Sequence, residues 1–367
     1  MVIDETGICP ACQWAEEKKS RIDWEARKTD FMEILGGGGH QKRRLVDAKT
    51  PYGCVVPFSG GKDSATVAWR LREEYGARPL LVCYGQLLWT DVGRRNFHRV
   101  SDAGFDILYW RTNQDVSRTL ARRFLVERGH PKQHYDAAVN AVPILTAQAF
   151  GIPLVVYAEH GESEYGGKIL SEESRRTRDL TEVLEHQVGD HPSNWAGVDG
   201  ITLADLYPYI TPDTKGAVTA VYFGYYHRWD IYENAKLARD QLGFEAAQNG
   251  PSAWPGGWGR SDGSFEGYDS IDDKIDDLDY YMMHIKFGFG RATRQACRLI
   301  QNGHMTRPLG VALARLYDGK FPETYLPEVL DYLRLTRSEL TEIIDQHRNP
   351  EIWERKDGQW NLSNLPT

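Results

Sequence analysis

Between residues 51 and 157 short apolar runs alternate with longer mixed stretches. The runs are Cys54–Phe58, Pro79–Tyr84, Phe105–Trp110 and Pro153–Tyr157. Stretches of helical composition lie between and beside them, near 64–75, 92–103, 115–128 and 136–149. Such alternation predicts βαβ units, hence an α/β fold with a doubly wound, mainly parallel sheet and helices on both faces. Crossovers are expected to be right-handed. Ahead of this region, 13–35 has helical composition without Pro or Gly, and Gly36–Gly39 with the basic residues after it reads as a flexible break. Beyond about 167 the alternation fades. Helices are expected over 172–186 and 269–302, a Gly-, Ser- and Trp-rich loop over 249–268, and Pro-broken helices over 306–349. The chain therefore reads as an N-terminal segment (1–50), an α/β domain (51–200) and a mostly helical region for substrate or partner (201–367).

Composition narrows the classes. Hydrophobic residues make up 41% and charged residues 26%, ordinary for a soluble globular protein. The formal net charge of −8 weighs against a general nucleic-acid binder. No apolar run is long enough to span a membrane, and the acidic start lacks a signal-peptide pattern, so a cytoplasmic protein is expected. Five cysteines in a chain this long do not form a disulfide framework. Cys54, Cys83 and Cys297 read as buried packing residues. A homo-oligomer is compatible with the sequence.

The strongest chemical signal is Ser59-Gly60-Gly61-Lys62-Asp63-Ser64, which follows an apolar strand and opens a helix. Backbone N–H groups and the helix dipole face an anion at such a junction. Gly60 and Gly61 allow close approach of phosphates. Ser59 and Ser64 offer hydroxyls, Lys62 offers charge, and Asp63 suits Mg2+. It is not a Walker A loop, because Asp63 follows the Lys and Val56 stands where the first Gly belongs.

The loop resembles that of the PP-loop ATP pyrophosphatases, the adenine nucleotide alpha hydrolase-like enzymes that split ATP at its α-phosphate. The resemblance sharpens elsewhere. Gly7-Ile8-Cys9-Pro10-Ala11-Cys12, Trp89-Thr90-Asp91, Glu164-Tyr165-Gly166-Gly167, Trp229-Asp230-Ile231-Tyr232-Glu233-Asn234, Lys286-Phe287-Gly288-Phe289-Gly290-Arg291-Ala292-Thr293 and Arg348-Asn349-Pro350-Glu351-Ile352-Trp353 resemble the N-acetyl sugar amidotransferases of surface polysaccharide synthesis. That resemblance implies adenylation of an acetamido carbonyl on an N-acetylated sugar nucleotide, followed by displacement of AMP by ammonia. ATP and Mg2+ would be required. Ammonia would come from a separate glutaminase with a cyclase-like partner, since no glutaminase constellation is present here.

Other positions join the candidate site. Glu159 follows the fourth apolar run and suits proton handling or orientation of ammonia. His160 departs from the family's pattern. Asp91, Glu164 and Tyr165 are expected to meet substrate, and Lys286 and Arg291 to meet phosphates. The acidic run Asp269 to Asp279 reads as a solvated helix face. Cys9-x-x-Cys12 is half of a zinc site, and two ligands do not close a tetrahedron. The chain is therefore expected to bind zinc substoichiometrically or not at all. Two rival readings remain open: a PP-loop enzyme of tRNA thiolation, and a nucleotide-binding scaffold without catalysis. The acidic balance, and the lack of a CxxC in the α/β region, weigh against the first.

Overall fold

The computed structural model describes residues 3–36, 50–167, 171–179, 183–214, 216–247 and 262–363. The Gly-rich break and most of the expected 249–268 loop lie outside them. The chain forms two compact units, each discontinuous in sequence. One comprises Met1–Gly85, Asn96–Arg111 and Asp136–Phe244; the other comprises Gln86–Arg95, Thr112–Tyr135 and Glu245–Thr367. The described residues of the expected N-terminal segment, and those of the expected helical region from 201 to 244, thus belong to the unit that holds the sheet.

The first unit is built on five parallel strands: β1 (Cys54–Pro57), β2 (Pro79–Tyr84), β3 (Ile107–Trp110), β4 (Leu154–Tyr157) and β5 (Thr219–Tyr222). Their order is β3-β2-β1-β4-β5, with Val55 opposite Leu80 on one side and Val155 on the other. All of β2 and β4 is buried. Strands covered on both faces read as unbroken apolar runs, which is why these were visible in sequence. β5 was not, because four residues flanked by irregular chain carry little pattern. The strand order reverses between β1 and β4, which makes that pair the switch point of a doubly wound sheet.

Two helices, α1 (Pro10–Ser20) and α2 (Trp24–Ile34), replace the single one expected over 13–35. Asp23 separates them: its carboxylate accepts from the N–H groups of Glu25 and Ala26 at 3.1 and 3.0 Å and caps α2. Phe31 of α2 is fully buried against the rings of Tyr75, Phe223 and Tyr226. The chain continues through α3 (Lys62–Glu73), α4 (Asp91–Asp102), α5 (Gln114–Arg128) and α6 (Gln133–Phe150). The short helices α7 (Gly161–Tyr165), α8 (Glu172–Arg176) and α9 (Phe223–Tyr226) follow, and then α10 (Ile231–Leu242). Where one helix was expected over 172–186, α8 ends at Arg176 and Thr177 bridges to Val221.

In the second unit the helices α11 (Asp276–Phe287), α12 (Arg291–Gln301), α13 (Arg307–Tyr317), α14 (Leu326–Leu333) and α15 (Arg337–Gln346) lead to an antiparallel hairpin, β6 (Trp353–Lys356) and β7 (Gln359–Leu362). Asp357 and Gly358, both at positive φ, form its turn. This Asp-Gly pair is a strong hairpin signal that the sequence reading passed over.

The acidic run corrects an expectation. It is not a solvated face: Asp272, Asp273, Asp276 and Asp277 are buried. Asp273 accepts from the N–H groups of Leu87 and Leu88, each at 3.0 Å. Lys132 pairs with Asp276, Arg291 with Asp277 at 2.9 Å, and Arg294 with Asp269 at 2.7 Å. Burial works against the Lys132 ammonium, but Asp276 and Asp273 outweigh it and hold its pKa well above the usual range. The helix begins only at Asp276, after Ser270 at a φ of 49°. Cys54 and Cys83 are buried, but Cys297 is exposed, against expectation. No described helix is long and apolar enough to cross a membrane.

Candidate functional site

The Ser59–Ser64 loop leaves β1 at the switch point and enters α3. Gly60 has a φ of 97°, which only glycine adopts without strain, and a Cβ on Gly61 would lie 3.2 Å from Ser59 Oγ. The Gly61 N–H donates to Ser59 Oγ at 3.2 Å, closing the turn. Gly61 then occupies the N-cap of α3 without any side-chain cap, so the helix start is open to an anion.

Lys62 is not an exposed loop residue. It is 5% exposed, and its Nζ lies 2.9 Å from Asp63 Oδ2. The other oxygen, Asp63 Oδ1, accepts from Asn234 Nδ2 at 2.9 Å. Asn234 is buried on α10, which packs against α3, and its carbonyl accepts from Thr66 Oγ1 at 3.1 Å. Asp230 caps α10 by accepting from the Tyr232 N–H at 3.0 Å. The Trp229–Asn234 motif thus holds the Asp63 carboxylate, a role the sequence did not reveal because 171 residues separate Asn234 from Asp63.

Among the described residues no three His, Cys, Asp or Glu side chains are grouped to hold a metal ion. The Asp63 side chain is 25% exposed, so its carboxylate keeps an edge toward solvent. Mg2+ is commonly held by one or two carboxylates together with substrate phosphates, and Asp63 fits an ion held that way. Cys9 takes the N-cap position of α1 without a side-chain capping bond, and Cys12 is exposed.

Glu159 follows β4, the neighbour of β1, so it and the phosphate loop leave adjacent strand ends. It is half-buried and accepts from Tyr165 Oη at 3.2 Å. His160 caps α7, accepting from the Ser163 N–H at 3.3 Å. Burial, then Arg178 and Arg175, push its pKa down to about 4, so it is neutral near pH 7.

Glu164 does not sit as a substrate contact. It is buried, accepts from Trp14 Nε1 at 2.9 Å and meets Lys18 Nζ at 2.8 Å. It anchors α1 to the sheet unit. The glycines after it are also structural: a Cβ on Gly167 would lie 1.5 Å from Glu162 Oε2.

Asp91, Lys286 and Arg291 belong to the second unit. Asp91 is exposed and opens α4; the cap there is Thr90, whose Oγ1 accepts from the Gly93 N–H at 3.0 Å. Lys286 donates to the Arg128 carbonyl at 3.2 Å, and burial lowers its pKa. Arg291 is 2% exposed, paired with Asp277, and lies 4.2 Å from the centre of the Tyr280 ring. The start of α12 is filled by Asp318, which accepts from the N–H groups of Gly290 at 3.0 Å and Ala292 at 2.9 Å. The expected phosphate contact of Arg291 is therefore replaced by an internal ion pair beside a helix start that already holds a carboxylate.

A comparison with curated proteins finds no match. Residues 262–365, which include the Arg291 turn and the hairpin, match the family model described as "LPS biosynthesis protein WbpG-like, C-terminal domain". Over that stretch the chain is thus similar to the C-terminal domain of a lipopolysaccharide biosynthesis protein.

Proposed function

We propose that this protein is an ATP-dependent amidotransferase of surface polysaccharide synthesis, converting the acetamido group of an N-acetylated sugar nucleotide to an acetamidino group. One observation carries the reading: an open Gly60-Gly61 turn at the sheet's switch point, with Lys62 and Asp63 ion-paired beside it and Asn234 fixing Asp63. The lipopolysaccharide match supports the pathway class.

An amide carbonyl is a poor electrophile. Its oxygen attacks the α-phosphorus of ATP, the α–β bridge bond breaks, and pyrophosphate leaves. Ammonia then adds to the activated carbon, AMP departs with the former carbonyl oxygen, and loss of a proton leaves the amidine. The helix start and Lys62 stabilise negative charge on the phosphates as it develops. Asn234 and Lys62 hold Asp63 in a single orientation. Asp63 would hold Mg2+, which would supply neutralisation of the phosphate charge. Glu159, on the adjacent strand end, is the candidate to orient ammonia or take its proton.

Ammonia reaches the protein from a separate glutaminase and its cyclase-like companion, and the reaction belongs in the cytoplasm, where ATP is available. The test supplies ATP, an N-acetylated sugar nucleotide and ammonium at high pH to the isolated protein. AMP, pyrophosphate and amidine are expected, whereas glutamine alone should give none of them. Efficient use of glutamine by the isolated protein, or release of ADP, would overturn the reading.

A further inference from the structure

At the switch point the sheet opens into a cavity of about 410 Å3. Pro57 and Tyr157, the last residues of β1 and β4, contribute to its wall, and Asp136, Asn140, Arg178 and Gln187 supply its polar groups. Pro57 lies two residues before Ser59, so the cavity starts where the phosphate loop leaves the sheet. Crevices at the carboxyl ends of strands flanking a switch point are where doubly wound sheets bind ligands, and the volume suits a small molecule.

The polar wall is pre-organised. Arg178 is pinned by its backbone N–H, which donates to the Ala220 carbonyl at 2.9 Å. Its guanidinium lies 4.3 Å from the centre of the Tyr157 ring. It donates to Asn140 Oδ1, to Gln187 Oε1 at 3.0 Å and to Tyr222 Oη at 2.9 Å. Tyr157 Oη donates to the Asn140 carbonyl at 3.2 Å. One buried donor of this network, Arg178 Nε, has no hydrogen-bond partner among the described residues. Rigid side chains of this kind bind with little loss of rotamer freedom.

The chemistry of the wall discriminates between ligands. Its one guanidinium is balanced by the Asp136 carboxylate, and the remaining polar groups are two carboxamides and a phenol. A triphosphate requires concentrated positive charge and N–H donors, which the neighbouring loop offers and this wall does not. Planar carboxamide, carboxylate and guanidinium groups beside the Tyr157 ring instead suit hydroxyls and an amide on a compact ring. We infer that this cavity is the acceptor pocket, taking the N-acetylated sugar ring while the phosphate loop takes ATP, with Arg178 and Asn140 as its positioning residues. This assignment rests on the amidotransferase reading for the reaction, but its location and residues are tested by binding alone.

Saturation-transfer NMR with UDP-N-acetylglucosamine, with UDP alone as the carrier control, reads the acetamido methyl protons directly and needs no turnover. Arg178→Gln and Gln187→Ala should each weaken sugar binding about tenfold, the effect of one lost polar contact. Binding of α,β-methylene-ATP should change less than about twofold, while Lys62→Ala should show the converse pattern. Gln187→Ala, at an exposed position, keeps the test interpretable if Arg178→Gln does not fold. Loss of sugar binding in a protein that never forms AMP would leave the pocket standing and remove the amidotransferase reading. Unchanged sugar binding in both variants, loss of nucleotide affinity instead, or no methyl signal from the wild type would each overturn the pocket.

Discussion

Replacing Glu164 by glutamine separates the buried-anchor role from the substrate role that its motif suggested. The Lys18 and Glu164 side chains are 3% and 5% exposed, with 2.8 Å between Nζ and Oε2. Removing one partner of a buried pair typically costs about 3–5 kcal/mol, because the other charge stays desolvated. The introduced carboxamide would keep an oxygen for Trp14 Nε1, and Lys18 would keep its contact to the Trp229 carbonyl at 3.3 Å. The expected loss is therefore near the lower end, about 3 kcal/mol. For a unit of this size that lowers the midpoint of thermal unfolding by about 6–12 °C. Lys18→Met in the Glu164→Gln background removes the stranded charge and should recover most of the loss, a coupling of about 2 kcal/mol. Differential scanning calorimetry of the wild type, both single variants and the double variant measures the cycle. A Glu164→Gln protein that melts with the wild type yet binds the acceptor more weakly would refute the reasoning and restore Glu164 to the substrate site.

Lys62→Ala should reduce AMP formation by about 10²–10³-fold, measured below the variant's own melting temperature, because Lys62 is buried and paired with Asp63 and its loss also destabilises the fold; a normal rate would remove the loop from the mechanism. Asn234→Ala should cut kcat about tenfold and raise the Mg2+ concentration for half-maximal rate, because Asp63 loses its fixed donor; an unchanged Mg2+ dependence would contradict that. The folded pKa of His160, about 4, lies below the unfolded value near 6.5, so the unfolded chain binds more protons between them. Its contribution is complete above pH 6.5 and is lost as pH falls toward 4. His160→Asn, which keeps a capping side chain, should flatten that part of the pH–stability profile, by up to about 3 kcal/mol across the window; a profile identical to wild type would show that folding does not shift the histidine's pKa. Cys9→Ser should be neutral or stabilising by up to about 1 kcal/mol, because serine suits the N-cap position. A tightly held zinc in the purified protein, lost in that variant, would contradict it.

The central strands β1, β2 and β4 were legible because they are covered on both faces and appear as continuous apolar runs. The Ser59–Ser64 turn was legible as a strand-to-helix junction because its residues are contiguous. What escaped depends on partners distant in sequence. Asp277, Asp276 and Asp269 resemble a solvated face until Arg291, Lys132 and Arg294 are seen beside them. Glu164 resembles a site residue until Lys18, 146 positions earlier, meets it. Asn234 shows the opposite error, a motif residue given no role until its amide was found on Asp63. The same limit hid Arg178 and Asn140, whose types are ordinary and whose meaning comes from converging at one end of the sheet.

The central claim is that ATP activates the carbonyl oxygen of an acetamido group, and isotope transfer tests it most directly. An N-acetylated sugar nucleotide carrying 18O in the acetamido carbonyl is incubated with the protein, ATP, Mg2+ and ammonium, and the products are weighed by mass spectrometry. The account predicts one 18O atom in AMP for each amidine formed, and none in pyrophosphate. Label in orthophosphate with ADP as product, or amidine formed with all the label in water, would contradict it.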